Sequence, residues 1–270
     1  MRVHRAAPIR PISPPRRPAR LPLWSSGTTL PRPVNATPAT LASNLASVRE
    51  RIAAAERRSG RPAGCVTLIG VVKTLSADIL LAAVALGLKD LGESKVQEAE
   101  SHQRLVDRNA ARWHMVGHLQ RNKAGRALQM FDVVHSLDDA GLAGALTRRA
   151  HAAGRRQPVL IEVNVSGEAS KFGMTPDSVA SLAEQVVALK ELELLGLMTV
   201  GAPVASAGAA RPGFVRLREL RDEIVRRLGV PLPELSMGMS SDYEVAVEEG
   251  ATMVRVGTAL FGAREPHGGG

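Results

Sequence analysis

Eight short stretches rich in Val, Ile and Leu recur along residues 65–256, and a segment of helical periodicity separates most of them from the next. The strand-like stretches are 65–72, 88–92, 112–116, 132–136, 157–164, 193–198, 233–237 and 252–256. Strands joined through helices run parallel, because each helix carries the chain back to the end where the previous strand began. Eight such units predict an α/β fold, a single (β/α)8 TIM barrel. The competing architecture, an open doubly wound sheet, usually places a glycine-rich turn after its first strand. Here that strand runs into Lys73-Thr74-Leu75. Aromatic residues make up only 3% of the chain, so the core has to be aliphatic.

Helices are predicted at about 76–87, 94–106, 120–129, 138–152, 175–190, 213–228 and 242–248. Thr175-Pro176 opens a face of Val179, Leu182, Val186 and Leu189, and Phe214, Leu217, Leu220, Ile224 and Leu228 precede Gly229. An extra N-terminal helix is expected where Thr37 can cap and Pro38 takes the first helical position. Its apolar face is Leu41, Leu45, Val48, Ile52 and Ala55, ending near Gly60. The segment 201–213, rich in Gly, Ala and Pro, predicts a flexible loop. The expected organisation is a disordered Pro/Arg-rich tail over 1–36, the barrel over 37–264 and a disordered tail over 265–270.

The formal charge of +9 raises the question of nucleic acid, and its location answers it. Arg2, Arg5, Arg10, Arg16, Arg17, Arg20 and Arg32 lie in a stretch without acids and leave only +2 for the rest of the chain. The basic excess belongs to the tail, so no nucleic-acid partner is expected. The longest apolar helical stretch, Ile79 to Leu88, falls far short of the roughly 20 residues needed to cross a bilayer. A cytoplasmic protein without a membrane partner is expected. Cys65 is the only cysteine and reads as a small core residue, and no Cys/His spacing suggests a metal site.

In a barrel of this kind chemistry sits at the C-terminal ends of the strands. Strand one delivers Lys73; a lysine there, desolvated in a cleft, has its amine freed for Schiff-base chemistry, although a strand-end lysine can equally snorkel to solvent. Strand two delivers Glu93 and Ser94, strand three His114, Gly117 and His118, strand four Ser136, strand five Asn164, and strand six Met198 and Thr199. Strand seven enters Ser236-Met237-Gly238-Met239-Ser240-Ser241, and strand eight delivers Arg255 and then Gly257-Thr258. The loops after strands seven and eight are the usual phosphate site of the fold, which makes Ser240, Gly257 and Thr258 candidate donors. Ordinary capping by Ser241 or Asp242 would leave the same residues. Arg255, inside the apolar strand Met253-Val254-Arg255-Val256, must find a partner: an acid such as Glu162 or Glu93, or a ligand's ring nitrogen or carboxylate. His114 reads either as a satisfied core histidine or as a ligand contact, Trp113 as packing, Lys171 as a solvated charge or a rim contact for an anion, and Glu98 and Glu100 as a solvated helix face. A phosphate nest, a strand-end lysine and an inward arginine are together the three handles that a pyridoxal 5'-phosphate (PLP) molecule needs.

Several stretches resemble the pyridoxal phosphate homeostasis protein family. They are Val72-Lys73-Thr74, residues 92–98 (GESKVQE), residues 113–123 (WHMVGHLQRNK), Leu197-Met198, residues 236–242 (SMGMSSD) and residues 254–262 (VRVGTALFG). The likeness covers about residues 40–264. It implies a barrel like the N-terminal domain of alanine racemases, with PLP joined to Lys73, Arg255 at the pyridine nitrogen, and Ser240, Gly257 and Thr258 at the phosphate. Gly238, Met239, Ser94, His114 and Met198 complete the expected cofactor-binding set. Ser94 departs from the Asn usual in the family, so a ring contact there is expected to be weaker or remodelled.

An arginine that keeps its proton leaves the pyridine unprotonated and PLP a poor electron sink. Racemisation also needs a second base on the other face of the substrate. In alanine racemases, the resemblance implies, that base is a tyrosine from a second, β-rich domain. Here Tyr243 is the only tyrosine and falls in the helix after strand seven, and no room remains for such a domain before Gly270. The expected function is therefore PLP buffering or delivery without robust turnover, with apo PLP-dependent enzymes as possible recipients and a monomer or weak homodimer as the assembly. A small racemase-like PLP enzyme and a barrel for another phosphorylated metabolite are the alternatives.

Overall fold

A computed structural model describes residues 36–168, 172–201 and 206–263. Its first helix, α1 (Pro38–Arg58), is started as expected: the Thr37 hydroxyl accepts from the Thr40 amide, and the Thr40 side chain bonds back to Thr37. Leu41, Leu45, Val48, Ile52 and Ala55 are buried along one face.

The eight expected strands all form. They are β1 (Thr67–Val71), β2 (Asp90–Glu93), β3 (Arg112–Met115), β4 (Val133–Leu137), β5 (Gln157–Glu162), β6 (Leu192–Met198), β7 (Glu234–Ser236) and β8 (Met253–Val256). They pair in parallel in sequence order, and β8 closes onto β1. The helices between them are α2 (Ala77–Ala85), α3 (Val96–Gln103), α4 (Ala124–Met130), α5 (Ala140–Ala152), α6 (Val179–Val187), α7 (Arg211–Leu228) and α8 (Tyr243–Glu248), with a short α9 (Thr258–Phe261) after β8. Outward strand residues such as Leu91, Trp113, Val159, Ile161 and Val254 pack on the helices in one large core. Inside the barrel a small apolar set, Val133, Leu160 and Met198, shares space with polar residues. Close strand approach is fixed at Gly196, where any Cβ would sit 1.8 Å from the Glu234 carbonyl oxygen.

Some boundaries differ from expectation. Helix α6 starts at Val179 instead of 175, because residues 175–178 close a single turn in which the Thr175 and Ser178 hydroxyls pair with each other and neither caps a helix. The expected helix at 120–129 opens with a 3-10 turn over Arg121–Lys123. Within the expected loop 201–213, Ala207–Ala210 form a 3-10 turn and α7 already begins at Arg211 with proline in its first turn. Cys65 lies half-buried before β1, outside the core. The disorder expected for 1–36 and 265–270 falls, apart from Ala36, outside the described residues, as do 202–205 and Lys171. Among the described residues no helix is long and apolar enough to cross a membrane.

Candidate functional site

Strand alternation places Thr67, Ile69, Val71 and Lys73 on one side of β1, and Ile69 stands in register with Arg255 of β8 and Asp90 of β2. Lys73 is half-buried just past the end of β1. The chain turns sharply there. Thr74 adopts a left-handed conformation at φ 65°, rare for a β-branched residue, and its hydroxyl donates to the Lys73 carbonyl at 2.6 Å. The following turn is held from outside the barrel by His102 of α3, whose Nε2 lies 3.3 Å from the Leu75 carbonyl and whose Nδ1 lies 2.5 Å from Glu93. Burial opposes the imidazolium of His102, yet the hydrogen bond and charge of Glu93 outweigh it and raise its pKa. Glu93 therefore points outward and is not the partner of Arg255.

The loops after β7 and β8 form one cup. Gly238 takes φ 91°, and a Cβ there would lie 2.5 Å from the Ala246 Cβ, so only glycine fits. Asp242 does not cap α8; its Oδ1 accepts from the Met239 amide at 2.6 Å and fixes the loop. The Ser240 hydroxyl oxygen accepts from the amides of Gly257 (3.1 Å) and Ala259 (3.2 Å), tying the two loops together. The backbone amides of Ser240 and Thr258 make no hydrogen bond with any described residue. Thr258 is exposed, with its hydroxyl available. Gly257 thus gives its amide to Ser240, and Ser240 and Thr258 offer theirs to an anion.

Arg255 is 4% exposed. It donates to the Ser236 hydroxyl at 2.6 Å and to the Thr199 carbonyl at 2.7 Å. Burial lowers its pKa to about 10, resisted by the charges of Glu162 and Asp242, so it remains a cation at neutral pH. Glu162, at the end of β5, makes no hydrogen bond or ion pair through its carboxyl among the described residues. Burial first and then the charge of Asp138 push that carboxyl up to about 7, with Arg255 pulling the other way. His118, after β3, stacks on the exposed Phe172 with ring centroids 3.9 Å apart and reaches Asp138 at 3.1 Å.

Of the other expected contacts, Ser94 is half-buried beside Gly117, where a Cβ would come within 2.4 Å of the Ser94 carbonyl oxygen. Met198 is fully buried in the barrel interior. Asn164 is occupied in its own loop, accepting from Ser166 and Gly167 and donating to the Glu168 carbonyl. Ser136 is fully buried and its hydroxyl has no partner. Glu98 pairs with Lys95, and Glu100 with Arg104 and Arg126, on the outer face as expected. His114 is fully buried with both ring nitrogens engaged, one with Asp90 and the other with His135. His135 was not singled out from sequence, although a histidine inside the run Val133–Leu137 carries the same signal as Arg255 inside β8.

A family model described as "Alanine racemase, N-terminal domain" matches residues 43–265. The chain is 44% identical over 222 residues to the pyridoxal phosphate homeostasis protein of Aquifex aeolicus, covering 82% of this chain and 97% of that one. It is 43% identical to the Pseudomonas aeruginosa protein of the same name, covering 84% and 96%. Among solved structures, PipY of Synechococcus elongatus with PLP bound superposes with a TM-score of 0.73 at 35% identity, covering 82% of this chain and all of that one. An alanine racemase of Clostridium difficile shares the fold at 12% identity, with a TM-score of 0.66. Barrel and mouth together define a single (β/α)8 barrel of the alanine-racemase N-terminal type. More narrowly, the chain belongs to the pyridoxal phosphate homeostasis protein family.

Proposed function

We propose that this chain binds PLP covalently at Lys73 and buffers it, or hands it to apo-enzymes, in the cytoplasm without robust turnover. The observation that carries this is one barrel mouth combining a strand-end lysine, two unengaged loop amides at Ser240 and Thr258, and a buried arginine whose own contacts are already fixed. When bound, PLP supplies an aldehyde that condenses with amines and a ring that accepts electron density. The amides of Ser240 and Thr258 and the Thr258 hydroxyl hold the phosphate, and the Ser240 hydroxyl proton is free to point there because its oxygen accepts from two amides. Gly257, Gly238 and Met239 shape the cup, Ser94 lines the edge beside Lys73, and Met198 closes the floor. Binding by PipY and membership of the family support this reading.

Arg255, a cation at neutral pH, donates to the ring nitrogen and leaves it without a proton, which weakens the ring as an electron sink. Tyr243 is 1% exposed on α8, outside the barrel, and supplies no second base at the mouth. One observation favours a second reading, a small amino-acid-directed PLP enzyme: Glu162 carries a carboxyl with a pKa of about 7, suited to proton transfer.

The test is an absorption spectrum of the protein with PLP before and after borohydride, followed by peptide mass mapping. A band near the visible that reduction fixes onto Lys73 supports the reading, and label spread over surface lysines refutes it. Amino-acid racemisation abolished by both Lys73→Ala and Glu162→Gln would replace the carrier with the enzyme.

A further inference from the structure

The barrel interior holds a chain of polar side chains that cofactor binding does not by itself require. His114 Nε2 lies 3.1 Å from Asp90 Oδ1, His114 Nδ1 lies 2.9 Å from His135 Nε2, and His135 Nδ1 lies 2.9 Å from the Ser236 hydroxyl. The Ser236 oxygen in turn receives Arg255 at 2.6 Å. His114, His135 and Ser236 are fully buried, whereas Asp90 is half-buried at the N-terminal end of β2 and also holds Arg112 at 2.7 Å.

The two ends fix the direction of every link. A guanidinium only donates, and a carboxylate only accepts. With Asp90 accepting, His114 carries its proton on Nε2, and a neutral ring then has a lone pair on Nδ1. His135 must fill that lone pair with an Nε2 proton, which leaves His135 Nδ1 to accept from the Ser236 hydroxyl. The Ser236 oxygen is then turned to accept from Arg255. Burial first, and then nearby positive charge, keeps His135 neutral, and burial keeps His114 neutral against the pull of Asp90 and Asp132.

We infer that Ser236, His135 and His114 form a one-way hydrogen-bond relay that couples the Arg255 cation to the Asp90 carboxylate and holds Arg255 oriented towards the site. They are positioning residues. An unpaired buried cation would be costly, and the relay supplies it with a polarised acceptor without placing an anion beside the ring-binding groups. A proton taken up by His114 reverses the relay: its Nδ1 would donate, His135 would switch tautomer, and Ser236 would face two donors. The charged groups acting on the relay are Asp90, Arg112 and Asp132 around His114, Arg112 and Arg255 around His135, and Glu162 and Asp242 around Arg255. The part that concerns PLP rests on the function proposed above; the relay itself does not.

The first test needs no cofactor. In the full chain with 15N-labelled histidine, His114 and His135, assigned with Ser236→Ala and His135→Gln, are expected as neutral Nε2–H tautomers from pH 8 down to pH 6. An Nδ1–H tautomer in either ring, or ordinary titration of His135, overturns the relay. The second test is Asp90→Asn, which keeps an acceptor oxygen but removes the charge. The expected result is a roughly fivefold or greater rise in the Kd for PLP, with the pH profile of the PLP band displaced from that of the wild type, both restored by Asp90→Glu. Unchanged affinity and profile with intact tautomers refute the coupling to Arg255. A wild type that binds no PLP overturns the proposed function, and the tautomers then decide the relay alone.

Discussion

Glu162→Gln isolates the most exposed energetic tension in the site. In the folded chain burial and Asp138 raise this carboxyl from its ordinary 4.5 to about 7. The folded state therefore binds its proton more tightly than the unfolded chain does. Stability from this group is fully present below about pH 4.5 and is lost as pH rises towards 7. A rise of that size corresponds to about 3 kcal/mol of differential interaction between the two protonation states. Glutamine has the shape of the protonated acid and never ionises. The variant should match the wild type near pH 4.5 and exceed it by about 2–3 kcal/mol above pH 7.5. Urea unfolding at half-unit pH steps, followed by far-UV circular dichroism, measures the gap as a difference in midpoint at constant slope. A gap that does not change with pH, or a variant less stable than the wild type at pH 8, would show that Arg255 already compensates the carboxylate and that the burial argument is wrong.

The buried histidines give the opposite slope. His114 and His135 have lowered folded pKa values, so the unfolded chain takes protons that the folded one refuses, and stability falls as pH drops below 6.5. Because His102, whose pKa is raised, has the opposite slope, the contribution is read as a difference. The urea midpoint of the wild type relative to His135→Gln should fall as pH goes from 6.5 to 5.5, and a difference that does not change with pH would refute it. Lys73→Ala should abolish borohydride-stable labelling while leaving measurable PLP affinity through the phosphate cup, checked by equilibrium dialysis. Ser240→Ala and Thr258→Ala should each weaken PLP binding by about 1–3 kcal/mol with little change for pyridoxal, which lacks the phosphate; equal losses for both ligands would mean the phosphate lies elsewhere. Gly238→Ala should destabilise the fold by about 2–4 kcal/mol, combining a strained positive φ with overpacking against Ala246, as read by thermal unfolding.

The fold was largely legible in the sequence because each strand is a compact apolar run and each helix carries its own periodicity. Both signals are local. The positions of Lys73, Arg255 and the SMGMSS and VGT loops on the barrel were legible for a related reason: each stands where an apolar strand ends or is interrupted by a charge. What could not be seen was pairing between distant elements. Glu93 and Glu162 looked equally good as partners for Arg255, since both end a strand. Alternation turns Glu93 outward to His102 and leaves Glu162 with no hydrogen-bonded partner among the described residues. Ser240 read as a ligand donor, and only the folded loops reveal that its oxygen first ties β8's loop to β7's. His135 gave the signal of a polar residue inside a strand, but its meaning depends on His114 and Ser236, 21 and 101 residues away in the chain.

The barrel interior mixes buried polar groups with apolar side chains, and the polar groups carry a cost. Apolar replacement of the interior would remove the desolvation costs of Arg255, Glu162 and two histidines and would leave a more stable protein. It would also remove the buried donor Arg255, whose guanidinium is restricted to one of many rotamers by the Ser236 and Thr199 contacts. The relay trades stability for orientation: each buried group is held by a neighbour whose proton position is set by the next, back to a carboxylate near solvent. Under the function proposed above, a site that holds a cofactor and releases it would benefit from that arrangement. The Arg255 guanidinium is already held by Ser236 and Thr199 without a ligand, so a ligand that took its donation would not have to order it.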